Sequence, residues 1–212
     1  YTGAPFSEAE VDQYRDYVVE LMRPYLNPGV RALEIGCGSG LIMFTVAGQV
    51  GSYLGMDPSE ATLERDREYA GRNGYRNIEF YCGFADEIRR FDAESFDLIV
   101  LASTIQFFPG YLYLEEVIKE AIRLLKPDGR IIVADVMDPD QKEEFRHSLT
   151  EYSSAHSQEQ IHTKMDLEGE LYVHQSYWRG LKFSNPEVSD VEVSYRKDKF
   201  TNELQYRYDV VI

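Results

Sequence analysis

The chain has 212 residues, of which 43% are hydrophobic and 28% charged, a composition typical of one soluble globular domain and unlike that of disordered or fibrous proteins. A formal net charge of −15 disfavours nucleic acid and anionic membranes as partners. No apolar run approaches the ~20 residues of a membrane-spanning helix and no signal peptide opens the chain, so we expect a cytoplasmic protein. Cys37 and Cys82 are too few for a disulfide framework and have no metal-ligand spacing.

The first two thirds of the chain alternate between strand and helix patterns. In chain order, the patterns predict a helix over Ser7–Tyr25, a strand over Val30–Ile35, a helix over Leu41–Ala47, a strand over Ser52–Met56, a helix over Ala61–Asn73, strands over Asn77–Cys82 and Phe96–Ala102, a helix over Tyr113–Leu125 and a strand over Arg130–Val136. Ser7 and Glu10 have the spacing of a capping box, and Gly74 is expected to cap a helix in a left-handed conformation. This alternation is typical of βαβ units with a mostly parallel sheet.

The pattern changes after Val136. Two further helices are predicted over Asp140–Ser153 and Glu170–Leu181, followed by two strands over Val188–Arg196 and Glu203–Ile212 joined by a turn at Lys197–Asn202. The polar stretch Ser154–Gly169 fits a mobile connection or lid. The expected fold is therefore α/β and Rossmann-like, a mostly parallel sheet closed by an antiparallel C-terminal strand pair.

The clearest motif, ALEIGCGSG, follows the first predicted strand. Its glycines, Gly36, Gly38 and Gly40, let a ligand come very close to the backbone. Their spacing differs from the dinucleotide fingerprint, and the acidic Glu34 would repel a pyrophosphate but suit a cationic sulfonium and its ammonium group. Asp57 ends the next strand, where its carboxylate can accept hydrogen bonds from both hydroxyls of a ribose.

These motifs, together with FDLIVLAS and LLKPDGRIIVADV, resemble class I S-adenosylmethionine (SAM)-dependent methyltransferases. The segments YTGAPFSEAEV, STIQFFPGYLYLEEVI and NELQYRYDVVI are similar to methyltransferase domains embedded in polyketide synthases and nonribosomal peptide synthetases. The resemblance implies one domain, with an N-terminal helical lid (1–29), a SAM-binding core (30–136), a helical acceptor or lid region (137–185) and closing strands (186–212). A start at Tyr1 without Met fits a domain of a longer protein.

The resemblance also assigns the cofactor contacts. The methionine part of SAM would be surrounded by Glu34, Gly36, Gly38 and Gly40, and the ribose would bind Asp57. The adenine would lie beside Phe84, Ala85 and Asp86. Ala102 and Ser103 would close the pocket near the sulfonium, and Tyr1, with Thr2, could fold over the cofactor.

The acceptor region is less defined, because several histidines follow the SAM-binding core. A hydroxyl acceptor benefits from a base of near-neutral pKa, for which His147 and His162 are the candidates. Glu170 could orient such a base, while Gln106 and Phe107, with the neighbouring Phe108, could line the acceptor pocket. We expect no metal, since Asp135, Asp138 and Asp140 have no further converging ligands.

Three functions remain open. The favoured one is an O-methyltransferase domain of a polyketide synthase that methylates a β-hydroxyl or enolised β-keto oxygen of an acyl thioester; C-methylating synthase domains usually carry an extra lid domain that this length cannot hold. The alternative is an N-methyltransferase domain of a nonribosomal peptide synthetase acting on an aminoacyl thioester, and the third is a non-enzymatic scaffold. Either enzyme would act with a carrier protein bearing a phosphopantetheine-tethered substrate and with neighbouring synthase domains.

Overall fold

A seven-stranded mixed sheet runs through the centre of the protein, for which the computed structural model describes residues 5–156 and 169–212. The strands are β1 (Arg31–Ile35), β2 (Ser52–Asp57), β3 (Ile78–Cys82), β4 (Phe96–Ala102), β5 (Leu125–Met137), β6 (Glu192–Tyr195) and β7 (Arg207–Val211). Their order is β3-β2-β1-β4-β5-β7-β6. The first five strands are parallel, whereas β7 pairs antiparallel with both β5 and β6. This arrangement confirms the predicted fold class.

Six α-helices surround the sheet in the described part of the chain. They are α1 (Glu8–Met22), α2 (Met43–Val46), α3 (Glu60–Asn73), α4 (Tyr111–Leu124), α5 (Lys142–Ala155) and α6 (Gln175–Ser184). The predicted capping box begins α1, because the Ser7 side chain accepts from the Glu10 N–H and the Glu10 carboxylate accepts from the Ser7 N–H. Gly74 ends α3 in the expected left-handed conformation, with φ of 77°.

The two faces of the sheet bury separate apolar clusters. Leu33 and Ile35 of β1 point into a cluster with α4 and α6, while Ala32 points into a cluster with α1 and α2. The alternation follows from the period of two along a strand, and burial on both faces explains the near-continuous apolar runs of β4 and β5. The helices thus hold the sheet from both sides and leave the carboxyl ends of the parallel strands at one edge.

Three predicted elements of the C-terminal third differ in their boundaries from the structure. The predicted helix over Glu170–Leu181 is wrong at its start: α6 begins only at Gln175, and Tyr172 instead bridges to Met137 at the end of β5. The predicted strands over Val188–Arg196 and Glu203–Ile212 are too long, because β6 is limited to Glu192–Tyr195 and a short 3₁₀ turn precedes β7. Most of the stretch expected to form a mobile connection, residues 157–168, lies outside the described residues.

Candidate functional site

A cavity of about 590 Å³ opens at the carboxyl ends of the parallel strands, within the roughly 300–1,000 Å³ range of small-molecule sites. In open α/β sheets this edge is where ligands bind, since the loops that follow the strands converge there. Nine residues expected to contact cofactor or acceptor line the cavity: Gly36, Gly38, Asp57, Phe84, Ala85, Asp86, Ser103, Phe107 and Phe108.

The glycine turn after β1 is shaped by close contacts. Gly36 has φ of 77°, and a Cβ there would lie 2.5 Å from the Thr104 Oγ1 atom, so only glycine fits. Gly38 has φ of 51° and no atom within 4 Å of a Cβ position, so its backbone faces open space. The turn is therefore tight against the β4 loop on one side and accessible to a ligand on the other.

Asp57 is held in a fixed orientation at the end of β2. Its Oδ2 atom accepts from the Gly38 N–H (3.1 Å) and its Oδ1 atom accepts from the Ser59 N–H (2.8 Å). Each carboxylate oxygen can accept a second hydrogen bond, and Asp57 lines the cavity. Two pre-oriented acceptors side by side match a pair of neighbouring hydroxyls, such as those of a ribose.

Three aromatic side chains form part of the cavity wall. Phe84, with 63% of its surface exposed, lines it together with Phe108 and Tyr113. The Tyr113 ring meets Phe108 edge-on at 4.9 Å, and its hydroxyl donates to Asp86 Oδ1 (2.9 Å). These rings offer flat apolar surfaces to a planar group, with the Asp86 carboxylate at their border.

Ser103 connects the cavity wall to buried charges. It lies directly after β4, and its Oγ atom is 2.6 Å from both the Tyr14 hydroxyl and Asp135 Oδ2. Asp135 is only 2% exposed and pairs with Arg196 (3.1 Å) and Arg207 (2.7 Å). Burial opposes ionisation of Asp135, but the two guanidinium groups outweigh it and lower its pKa.

Glu34 lies behind the glycine turn and not at the cavity wall. Its neighbours in β1, Leu33 and Ile35, point to the other face of the sheet, so the Glu34 side chain extends to the face where the Tyr53 hydroxyl donates to it (2.9 Å). It is 2% exposed, and burial raises its pKa to about 8 although the Tyr53 hydrogen bond acts in the opposite direction. Glu34 therefore belongs to the buried face of β1, where it is hydrogen-bonded to Tyr53 of β2.

Other expected site residues also lie away from the cavity wall. Gly40, Ala102 and Gln106 do not line the cavity, although Gln106 is buried and its Oε1 atom has no hydrogen-bond partner among the described residues. Gly40 has φ of 73° and lies against the Phe44 ring, which leaves no room for a Cβ atom.

The candidate base His147 is on the outer face of α5. Its side chain is 73% exposed, and its Nε2 atom lies 3.1 Å from Glu151 one helical turn away. Glu170 occupies the bend before Leu171 and is likewise absent from the cavity wall. The structure does not bring His147 and Glu170 to the cavity, whereas His162 and Tyr1 lie outside the described residues.

Five cavity-lining residues were not expected from the sequence: Ile35, Pro58, Thr104, Pro109 and Tyr113. Pro58 directly follows β2 and Thr104 is the second residue after β4, so their positions after strand ends could have indicated them. Tyr113 belongs to the first helical turns of α4, and its direction depends on the angle at which that helix packs on the sheet.

The described residues contain neither a metal-ligand cluster nor a membrane-spanning helix. Within residues 5–156 and 169–212, no three His, Cys, Asp or Glu side chains are grouped so that they could hold a metal ion. Asp135, one of the three aspartates weighed as metal ligands, pairs with arginines. Among the same residues, none of the helices is both long and apolar enough to cross a lipid bilayer.

Comparisons with known proteins identify the family. A family model described as a methyltransferase domain matches residues 26–206. The chain belongs to this methyltransferase domain family. It is 31% identical over 220 residues to chondramide synthase cmdD of Chondromyces crocatus and 30% identical over 214 residues to a probable non-canonical nonribosomal peptide synthetase, CymA, of Salinispora arenicola. Both matches cover 100% of this chain but only 6% and 3% of the respective relatives.

Solved structures of methyltransferases share the fold. A SAM-dependent methyltransferase of Aquifex aeolicus matches with a TM-score of 0.61 at 17% identity, over 98% of both chains. Phosphoethanolamine N-methyltransferase 1 of Haemonchus contortus, solved with phosphoethanolamine and S-adenosylhomocysteine, matches with a TM-score of 0.64 at 15% identity, over 95% of this chain and 42% of that one. Together with the family model, this shared fold confirms the recognition as a class I SAM-dependent methyltransferase, with SAM as its cofactor.

The residues of the cavity fit this cofactor. The open side of Gly38 leaves room for the methionine part, and the two oriented oxygens of Asp57 match the ribose hydroxyls. The rings of Phe84 and Phe108 would enclose the adenine, with Asp86 near its polar edge. When bound there, SAM supplies an electrophilic methyl group.

We predict that Asp57→Ala weakens SAM binding about 10- to 100-fold, because it removes a charge-assisted hydrogen bond worth roughly 1.5–3 kcal/mol. Isothermal titration calorimetry measures the affinity, and thermal unfolding checks that the variant is folded. The matched control is Asp92→Ala, which should bind SAM normally. Asp92 is exposed and precedes β4, at the opposite edge of the sheet. Wild-type affinity in a folded Asp57→Ala protein would refute the assignment of the ribose site.

A second prediction concerns Glu34 and pH. The folded protein holds a proton on Glu34 up to about pH 8, whereas the unfolded chain releases it near the ordinary value of 4.5. Between these values the folded state binds more protons than the unfolded state, so this group lowers wild-type stability as pH rises. Glu34→Gln, measured without cofactor by denaturant unfolding, should match wild type at pH 5 and be more stable at pH 8.

The control for this prediction is Glu79→Gln, which changes an exposed glutamate in β3. Its unfolding free energy should follow wild type across the whole pH range. If the unfolding free energies of Glu34→Gln and wild type changed in parallel with pH, Glu34 would already be ionised in the folded protein and the prediction would be wrong.

Proposed function

We propose that this chain is the N-methyltransferase domain of a nonribosomal peptide synthetase and methylates the amino group of an aminoacyl thioester. Its relatives support the synthetase context, since they include cyclosporin synthetase of Tolypocladium inflatum, at 29% identity, and enniatin synthetase of Fusarium oxysporum, at 28%. O-methylation of a polyketide intermediate is the competing outcome, because the sequence motifs resemble domains of both kinds of synthase.

The choice of nitrogen as the methyl acceptor rests on the ionisation state of the carboxylate that Ser103 contacts. An alcohol attacks a methyl group only as its proton leaves, which calls for a base with a pKa near 7. The carboxylate that Ser103 contacts, Asp135, has a lowered pKa and is therefore a poor base. His147 lies away from the cavity on the exposed face of α5. A neutral amine already has a free lone pair and needs no such base.

The cavity-lining residues would have separate roles in binding the cofactor and the acceptor. Asp57 and the glycine turn at Gly38 would hold the cofactor, which would supply the methyl group. Phe107, which lines the cavity with 75% of its surface exposed, would form the apolar border on the acceptor side. The amine nitrogen forms a bond to the methyl carbon as the carbon–sulfur bond breaks, and the excess proton leaves to solvent afterwards. Positioning of the two reactants supplies the rate enhancement.

The proposed partner is a carrier protein that presents the aminoacyl group on phosphopantetheine. The domain has a net charge of −15, and carrier proteins are usually acidic, so long-range electrostatic attraction does not favour their encounter. Attachment of both within one synthetase would supply a millimolar-scale effective concentration instead. Weak binding to a free carrier is therefore compatible with efficient methylation.

The test is to incubate the protein with SAM and pantetheine thioesters of an amino acid, a β-hydroxy acid and a β-keto acid, and to identify the methylated atom by mass spectrometry. We expect N-methylation of the aminoacyl thioester only. Its rate should rise about ten-fold from pH 6 to pH 7, because an α-amino group with a pKa near 7.7–8.0 becomes neutral over this range.

The matched variant for this test is His147→Ala. N-methylation should continue at about the wild-type rate. A loss of roughly 100-fold or more, on a hydroxyacyl thioester that the wild type methylates, would instead indicate general-base O-methylation and overturn the proposal.

A further inference from the structure

Ser103 lines the cavity wall, and two protein groups hold its hydroxyl. Ser103 lines the cavity directly after β4, next to Thr104, which contacts the glycine turn. Its Oγ atom has two protein partners, the Tyr14 hydroxyl of α1 and the Asp135 carboxylate of β5, both at 2.6 Å. These contacts fix the hydroxyl from two sides.

The direction of both hydrogen bonds follows from the charges around Asp135. Arg196 and Arg207 pair with its two oxygens and keep it ionised, so Asp135 can only accept. The single proton of Ser103 must therefore point to Asp135, and Tyr14 must donate to Ser103. A serine oxygen has two lone pairs, so one remains after the bond from Tyr14.

We propose that Ser103 Oγ is the hydrogen-bond acceptor that holds an N–H of the substrate amine and thereby aims the nitrogen lone pair at the methyl group. The inference rests on the proposed N-methylation. Ser103 takes no proton: the nitrogen–carbon bond forms, the carbon–sulfur bond breaks, and the proton of the methylated ammonium leaves to solvent. Asp135 acts through Ser103 as a positioning residue.

The backbone conformations of Ser103 and Asp135 are rare for residues other than glycine, which fits a functional role for this pair. Ser103 has φ of 51° and Asp135 has φ of 71°, left-handed conformations that cost energy for residues other than glycine. The Asp135 conformation is held by the Asp209 side chain, which accepts from the Asp135 N–H (2.9 Å). Strained residues that the surrounding structure holds in place are concentrated at functional sites.

The experiment compares Ser103→Gly and Ser103→Ala with Ser95→Ala. Both Ser103 variants remove the hydroxyl, but glycine also relieves the left-handed backbone, so Ser103→Gly should be the more heat-stable of the two. The control Ser95 lies at the opposite end of β4, and its buried Oγ has no partner in the described part of the chain. Single-turnover methylation of an aminoacyl pantetheine thioester gives the rate, and calorimetry gives the SAM affinity.

We expect both Ser103 variants to lose about 10- to 100-fold in rate while their Kd for SAM stays within about two-fold of wild type. A stable aminoacyl pantetheine amide, titrated into the protein with S-adenosylhomocysteine, should bind about five-fold more weakly, as the loss of one hydrogen bond predicts. Ser103→Thr retains the hydroxyl and should retain most of the rate despite lower stability. The Ser95→Ala protein should behave as wild type.

The outcomes separate the inference from the proposed function. If wild type methylates the amine and the rates of the Ser103 variants follow their heat stability, or remain at the wild-type level, the inference is wrong and the proposed function stands. If wild type leaves the amine unmethylated and methylates the hydroxyacyl thioester, both are overturned.

Discussion

The buried guanidinium of Arg196 is the interaction on which the cavity wall depends. It is fully buried, donates to Asp209 through Nε (2.9 Å to Oδ2) and pairs with Asp135 (3.1 Å). The rings of Tyr14 and Tyr17 lie 5.5 and 5.0 Å from it, which adds cation–π attraction at a fully buried site. Removing one partner of a buried ion pair typically costs about 3–5 kcal/mol, because the remaining charge stays buried and unpaired.

This cluster joins parts of the chain that are distant in sequence. Tyr17 of α1 donates to Asp209 of β7, 192 positions later, and Tyr14 meets Ser103 at the end of β4. The N-terminal helix and the antiparallel strand pair are therefore more than a border of the sheet. They fix β5 and the β4 loop at the place where the acceptor would meet the methyl donor.

Several residues that the sequence assigned to the cofactor line the cavity, because their signals are local. The glycine turn and Asp57 follow strand ends, and the sheet brings all strand ends to one edge. The sequence did not predict that the Glu34 side chain points away from the cavity, because this depends on which face of the sheet each β1 residue occupies. A carboxylate near glycines in the sequence does not indicate that face. The Arg196 cluster is a long-range pairing between strands, so neither periodicity nor motif spacing could have indicated it. The start of α6 was missed because Tyr172 pairs with β5, a tertiary contact that overrides local helical pattern.

The same charges that stabilise the cavity wall also restrict the chemistry it can support. A carboxylate held by two arginines keeps its negative charge in the folded protein, so it orients a neighbouring hydroxyl but has little tendency to take a proton from substrate. Freeing Asp135 to act as a base would require withdrawing Arg196 or Arg207, and would leave a charge buried without a partner. In the proposed reaction, stability and choice of acceptor would thus be linked: a wall built around Arg196 would favour an acceptor that arrives with its lone pair already free, such as the amine that we propose.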